Sequence, residues 1–177
     1  MPAVDPFTPR DRKAVEAQLG REVRGVVEVA WRCPCGRPGV LTTQPRLPNG
    51  GPPFPTTYYL TCSRAVAGCS RLEAGGLMAE FNARLAVDAG LAGRYRAAHE
   101  MYLADRDRLA AQLGDPVPEI AGVSAGGMPA RVKCLHALVG HALAAGPGVN
   151  PVGDEVLGLL GEFWAEPCAR IEGDDVD

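Results

Sequence analysis

The chain has 177 residues, enough for one domain with a real core, and its 46% hydrophobic and 22% charged composition is that of an ordinary globular protein. A net charge of −3, with Lys13 and Lys133 as the only lysines, argues against a general nucleic-acid binder, which needs a basic face. The start, Met1-Pro2-Ala3-Val4-Asp5, lacks the features of a signal peptide, and no run approaches the roughly 18 apolar residues of a membrane helix. A cytoplasmic protein with no membrane association is therefore expected. In that compartment disulfides are rare, so six cysteines need another account: core packing, metal or reactive thiols.

Thr8-Pro9-Arg10-Asp11 predicts a helix start, with Thr8 as cap, Pro9 in the first turn and Asp11 at the positive end; the helix runs to Leu19 and stops at Gly20. Residues 26–31 read as a strand from their β-branched and aromatic content. Cys33-Pro34-Cys35-Gly36 is a tight turn, and residues 40–43 form the returning strand, which puts the cysteines at a hairpin tip. Residues 45–55 are a proline-and-glycine loop, since proline removes ladder donors. Arg46 and this loop either wall a small-molecule pocket or make a rigid surface feature. Residues 57–61 are a third strand that delivers Cys62 at its end.

From Ser63 onward the periodicity is helical. One helix ends at Gly75-Gly76, a second carries Leu77, Phe81 and Leu85, and a longer one spans 91–113. After a loop at 116–127, Pro129 is expected to open an apolar helix through Ala145, and residues 154–164 form the last helix. The fold class is α+β: a small N-terminal antiparallel β-sheet or hairpin packed against a mostly helical C-terminal part. Residues 1–171 are expected to form a single domain, followed by an acidic, disordered tail at 172–177.

A cysteine pair at a hairpin tip is a familiar half-site for a soft cation. The usual spacing is C-x-x-C; here it is C-x-C, one residue short. Cys33 is the stronger ligand candidate, while Cys35 is a second ligand, a spare thiol or a turn residue. Cys62 sits where a strand hands over to a helix, a position that favours thiolate. Cys69 reads as core, and Cys168 has no partner pattern and reads as incidental. If residues 132–144 are one regular helix, Cys134 and His136 lie on opposite borders of its buried stripe, about 200° apart. His141 is two turns from Cys134. Cys134 is then the ligand from this helix, His136 joins only if the helix is irregular there, and His141 is a packing residue. The expected metal set is thus Cys33, Cys62 and Cys134, with Cys35 and His136 as the less secure members. Three thiolates with an exchangeable fourth position suit a zinc ion or, alternatively, an iron–sulfur cluster. Three buried, unligated cysteines are the competing account, in which there is no cofactor.

Ser124-Ala125-Gly126-Gly127-Met128-Pro129 precedes Cys134. Ser124, Gly126, Gly127, Arg131 and Lys133 combine exposed amides with two cations at an expected helix start, so a small anionic, phosphate-like ligand could sit there. The plainer reading is a helix cap behind a hinge.

Four segments carry a resemblance to a known family: Arg32-Cys33-Pro34; Pro53-Phe54-Pro55-Thr56-Thr57-Tyr58-Tyr59-Leu60-Thr61-Cys62; residues 124–136, Ser124 to His136; and residues 146–155, Gly146 to Glu155. They resemble the bacterial, largely actinobacterial family known as domain of unknown function 501, over about residues 8–160. The resemblance implies one shared domain and carries over no catalytic residue. Its members' gene neighbourhoods, with a septum-formation protein and an exopolyphosphatase, imply a link to cell division or phosphate metabolism. Three functional classes stand open: a metal-binding protein, a thiol-dependent enzyme using Cys62 or Cys134 on a small anionic substrate, and a non-catalytic interaction module.

Overall fold

The computed structural model describes residues 5–169. The expected acidic tail and the last residues of the expected domain lie outside them. The fold is α+β: a four-stranded antiparallel sheet in the order β1-β2-β3-β4 and, among the described residues, six α-helices. The strands are β1 (Asp5–Pro6), β2 (Val26–Arg32), β3 (Pro38–Thr43) and β4 (Tyr58–Leu60). The helices are α1 (Pro9–Leu19), α2 (Ser63–Ala74), α3 (Leu77–Val87), α4 (Ala89–Leu113), α5 (Leu135–Ala145) and α6 (Pro151–Leu160). None of these helices is long and apolar enough to cross a membrane.

β3 is buried along its whole length because both faces of the sheet are covered. Neighbouring residues show the period of two: Val40 belongs to the main core, while Leu41 packs with Val15, Val23 and Val29 beneath α1. α1 covers the face of the sheet on which Leu41 lies. α1 is anchored by a capping box between Thr8 and Asp11, and Arg32 on β2 reaches Asp11 at 2.7 Å. Burial alone would raise the Asp11 carboxyl, but the hydrogen bonds from Arg32 and Thr8 more than offset it and hold it below its ordinary range.

α5 is the central helix, with eight of its residues buried, which suits a segment apolar on nearly all sides. It packs on β4 and against α6. Gly153 permits that second approach: a Cβ there would stand 2.3 Å from the Leu138 carbonyl oxygen.

Two helix starts differ from expectation. α5 begins at Leu135 rather than Pro129, because residues 125–134 form turns and extended backbone held from outside. Asn82 brackets Val132, accepting from its amide at 2.7 Å and donating to its carbonyl at 3.0 Å. The Tyr95 hydroxyl donates to the Arg131 carbonyl. α6 begins at Pro151 rather than Asp154, since the Asn150 side chain caps it by accepting from Gly153 N. The proline-rich loop docks through Arg46, which is ion-paired with Glu119 at 2.8 Å and with Asp115 at 3.4 Å.

Candidate metal centre

The β2–β3 turn brings Cys33 and Cys35 to one end of the sheet. It is closed by Cys33 N donating to Arg37 O and Gly36 N donating to Cys33 O, both at 2.8 Å, with Gly36 at φ 84°. Cys62 reaches the same place by strand pairing. β4 runs beside β3 with Val40 opposite Leu60, and the amides of Thr61 and Cys62 both donate to the Gly39 carbonyl, at 2.9 and 3.2 Å. Gly39 must lack a side chain, because a Cβ would fall 2.3 Å from the Trp31 ring.

The third contribution is Cys168. Beyond α6 the chain folds back across the cysteine turn. Phe163 packs on Trp31, with ring centroids 6.3 Å apart, and Arg64 pairs with Glu166. The Ser63 hydroxyl donates to the Cys168 carbonyl, and Arg37 Nε to the Ala169 carbonyl. These ties put Cys168 Sγ 3.4 Å from Cys35 Sγ. The sulfurs of Cys33, Cys35 and Cys168 all lie within 4.8 Å of one another, so this three-cysteine cluster could hold a metal. Cys62 adjoins it beside Cys168 and Cys33, but it is not one of the three whose sulfurs all lie within 4.8 Å of one another. Cys33, Cys62 and Cys168 are 1%, 0% and 4% exposed; Cys35 is partly open.

Donors surround these sulfurs. Gln18 Nε2, on α1, donates to Cys168 Sγ at 3.1 Å and to Pro38 O at 2.8 Å. The Cys35 amide favours negative charge on Cys33. The Cys62 thiol is pulled well below its ordinary range, first by the Cys168 and Cys33 thiols donating to it, against the opposing effect of burial. The amides of Arg64 and Ala65 at the start of α2 act in the same direction, although neither makes a formal capping bond to the sulfur. Cys33 is pushed the other way by its bonds to Cys168 and Cys62 and by burial.

Cys134 lies in a different group, with Glu73 and His136, whose ligand atoms also fall within 4.8 Å of one another. The regular-helix assumption kept Cys134 and His136 apart. Cys134 is instead the extended N-cap of α5, with φ −155°, which turns its sulfur to 3.8 Å from His136 Nδ1. Cys134 and His136 are thus neighbours, while Cys33 and Cys62 are placed with Cys35 and Cys168. His136 Nδ1 is 3.2 Å from Glu73 Oε1, and its Nε2 faces the Val66 carbonyl and the Ser70 hydroxyl, both at 3.2 Å. The Cys134 hydrogen bond, outweighing burial, raises His136 to about 9. Burial pushes Cys134 up, but the bond to His136 and the Ala137 amide, which is no formal cap, bring its thiol below the ordinary value. Cys69 is core, fully buried and pushed up to about 12 by burial.

The expected anion-site residues are dispersed in role. The Ser124 hydroxyl is buried between His99 Nδ1 at 2.9 Å and the Met128 carbonyl at 3.3 Å. The amides of Arg131 and Lys133 donate to Gly127 O and Gly126 O, and both side chains are exposed. The helix starts later, and its first amide, Leu135 N, donates to Glu73 Oε1 at 2.7 Å. The anion at this helix N-terminus is the protein's own carboxylate.

Fold and cluster together define an α+β domain with a thiol centre able to hold a metal. A family model described as "Protein of unknown function (DUF501)" matches residues 29–158, and the chain belongs to that family. No curated protein and no solved structure matches it. Cys33, Cys35, Cys62, Glu73, Cys134 and His136 fall within the matched residues; Gln18 and Cys168 fall outside them.

Sequence reasoning missed Cys168, Gln18 and Glu73. Phe163-Trp164 just before Cys168 was the available signal, since a segment carrying two aromatic residues tends to dock. Nothing in the sequence marks Gln18 or Glu73.

Proposed function

We propose that this protein binds a metal ion in a closed four-thiolate centre made by Cys33, Cys35, Cys62 and Cys168, and that the ion is zinc. The observation that supports it is the three-sulfur cluster of Cys33, Cys35 and Cys168, with Cys62 beside it, in a setting furnished with N–H donors. Four cysteines are a regular structural zinc set, and a closed shell leaves no position for a substrate. The Cys35–Cys168 separation of 3.4 Å is near the edge of a zinc tetrahedron, about 3.8 Å for bonds of about 2.3 Å. An iron–sulfur cluster spreads its thiolates around several irons and needs them farther apart.

The role is structural. The ion ties the β2–β3 turn, the start of α2 and the C-terminal segment into one unit, so its binding free energy becomes folding free energy. Purification without chelators and without oxygen, followed by elemental analysis and an absorption spectrum, tests this. The expected result is tightly held zinc and no visible colour. Visible charge-transfer bands with stoichiometric iron would replace zinc by a cluster. Metal-free protein with full native stability would remove the proposal.

A further inference from the structure

A second cluster lies at the far end of α2. Cys62 caps that helix and Glu73 lies in its last turn, eleven residues on, which is roughly 16 Å along the axis at about 1.5 Å per residue. Glu73, Cys134 and His136 there offer one oxygen, one sulfur and one nitrogen within 4.8 Å of one another. We propose that these three side chains form a separate, open binding site for a divalent cation of the zinc class.

The separations fit one ion. Bonds of about 2.3 Å to sulfur and about 2.0 Å to nitrogen and oxygen at tetrahedral angles put sulfur about 3.5 Å from nitrogen, and nitrogen about 3.3 Å from oxygen. The observed values are 3.8 Å for Cys134 Sγ to His136 Nδ1 and 3.2 Å for His136 Nδ1 to Glu73 Oε1.

The surroundings orient each donor as a ligand. A metal-bound imidazole gives its other N–H to a carbonyl or carboxylate. His136 does so: with Nδ1 turned to the cluster, Nε2–H points at the Val66 carbonyl at 3.2 Å. Glu73 Oε1 is fixed by the Leu135 amide at 2.7 Å. Cys134 is set by the extended backbone that Asn82 clamps at Val132, two residues before it.

The contrast with the thiol centre lies in access. The side chains of His136 and Glu73 are 27% and 23% exposed. Three protein ligands fill three corners of a tetrahedron, and partial exposure leaves the fourth to water or an incoming donor, as in zinc sites that do chemistry. A mixed sulfur, nitrogen and oxygen set also binds zinc or cobalt in preference to magnesium or calcium.

Cobalt(II) reports both sites in one titration of metal-free, reduced, full-length protein. Wild type should take up two equivalents. One gives the intense charge-transfer absorption of four thiolates; the other, weaker-binding, gives the lesser absorption of one. His136→Gln and Glu73→Gln should each abolish the second equivalent and leave the first unchanged. Cys168→Ser should do the reverse, so a failure of the four-thiolate centre is read separately. Far-UV circular dichroism on each variant checks that the fold persists; both Gln variants alter half-exposed side chains, and either one folded suffices. A single equivalent in wild type, with a spectrum that neither Gln variant alters, overturns the second site. So does a second equivalent that survives both.

Discussion

The two ends of α2 carry similar donor atoms in opposite settings. At its start, the three-sulfur cluster of Cys33, Cys35 and Cys168 lies beside Cys62, and Cys33, Cys62 and Cys168 are nearly inaccessible. At its end, one thiol, one imidazole and one carboxylate sit half-open. Burial makes the first centre costly to ionise without compensation, since several thiols crowd together away from water. Exposure makes the second centre cheap to leave empty, since His136, Cys134 and Glu73 satisfy one another. One end thus suits an ion that holds structure together, and the other an ion that can exchange.

The sharpest way to break that comparison is to remove one thiolate from the closed end. Cys62→Ser or Cys168→Ser should cost more than about 4 kcal/mol in urea unfolding, as loss of a bound metal does. The same substitution of Cys134 should cost much less. Equal costs at both ends would erase the distinction.

A second test separates metal release from another acid-sensitive group. His141 is stacked on Tyr58 at 5.7 Å, lies edge-to-face with Tyr102, and accepts at Nδ1 from the Asn150 side chain at 3.2 Å. Burial lowers it to about 4 from 6.5, with Asp105 opposing weakly. The unfolded chain takes up a proton first as pH falls, so stability is complete above pH 6.5 and drops towards pH 4. The loss approaches about 3 kcal/mol, from a shift of roughly 2.5 units. His141→Phe keeps the packing and should flatten this slope, leaving only the acid release of metal. An unchanged slope would assign the whole effect to the thiols.

Next in size is Gly153→Ala, whose Cβ would collide with the Leu138 carbonyl of α5. About 1–3 kcal/mol of overpacking is expected in thermal or urea melts. Cobalt binding at the four-thiolate centre should be unchanged, because neither residue touches it. The smallest effect belongs to Glu73→Gln, which keeps a hydrogen-bond acceptor for Leu135 N but loses its charge beside the α5 N-terminus. A cost of about 1 kcal/mol or less is expected, against a complete loss of the second cobalt equivalent.

Much of the fold was legible in local chemistry. Thr8, Pro9 and Gly20 bounded α1, and the Gly75-Gly76 pair separated α2 from α3. Those signals act within a few residues. The start of α5 was not legible, because Asn82 and Tyr95 on other elements take up backbone groups of residues 131–132 and keep them out of the helix. That shift decided the site: a regular helix separates Cys134 from His136, and an extended cap joins them. Cys33, Cys35 and Cys62 were readable as candidates from the hairpin and the strand end. Cys168 was not, since its position depends on Phe163 docking against Trp31 and on ties to Ser63 and Arg37. Metal ligands brought together by tertiary folding leave no spacing to read.

The most direct test of the closed centre is zinc X-ray absorption on the His136→Gln protein, purified without oxygen and holding only the buried ion. A first shell made of sulfur alone, at about 2.3 Å, is the predicted result. A shell dominated by nitrogen or oxygen, or protein that folds with no bound zinc, would contradict the account.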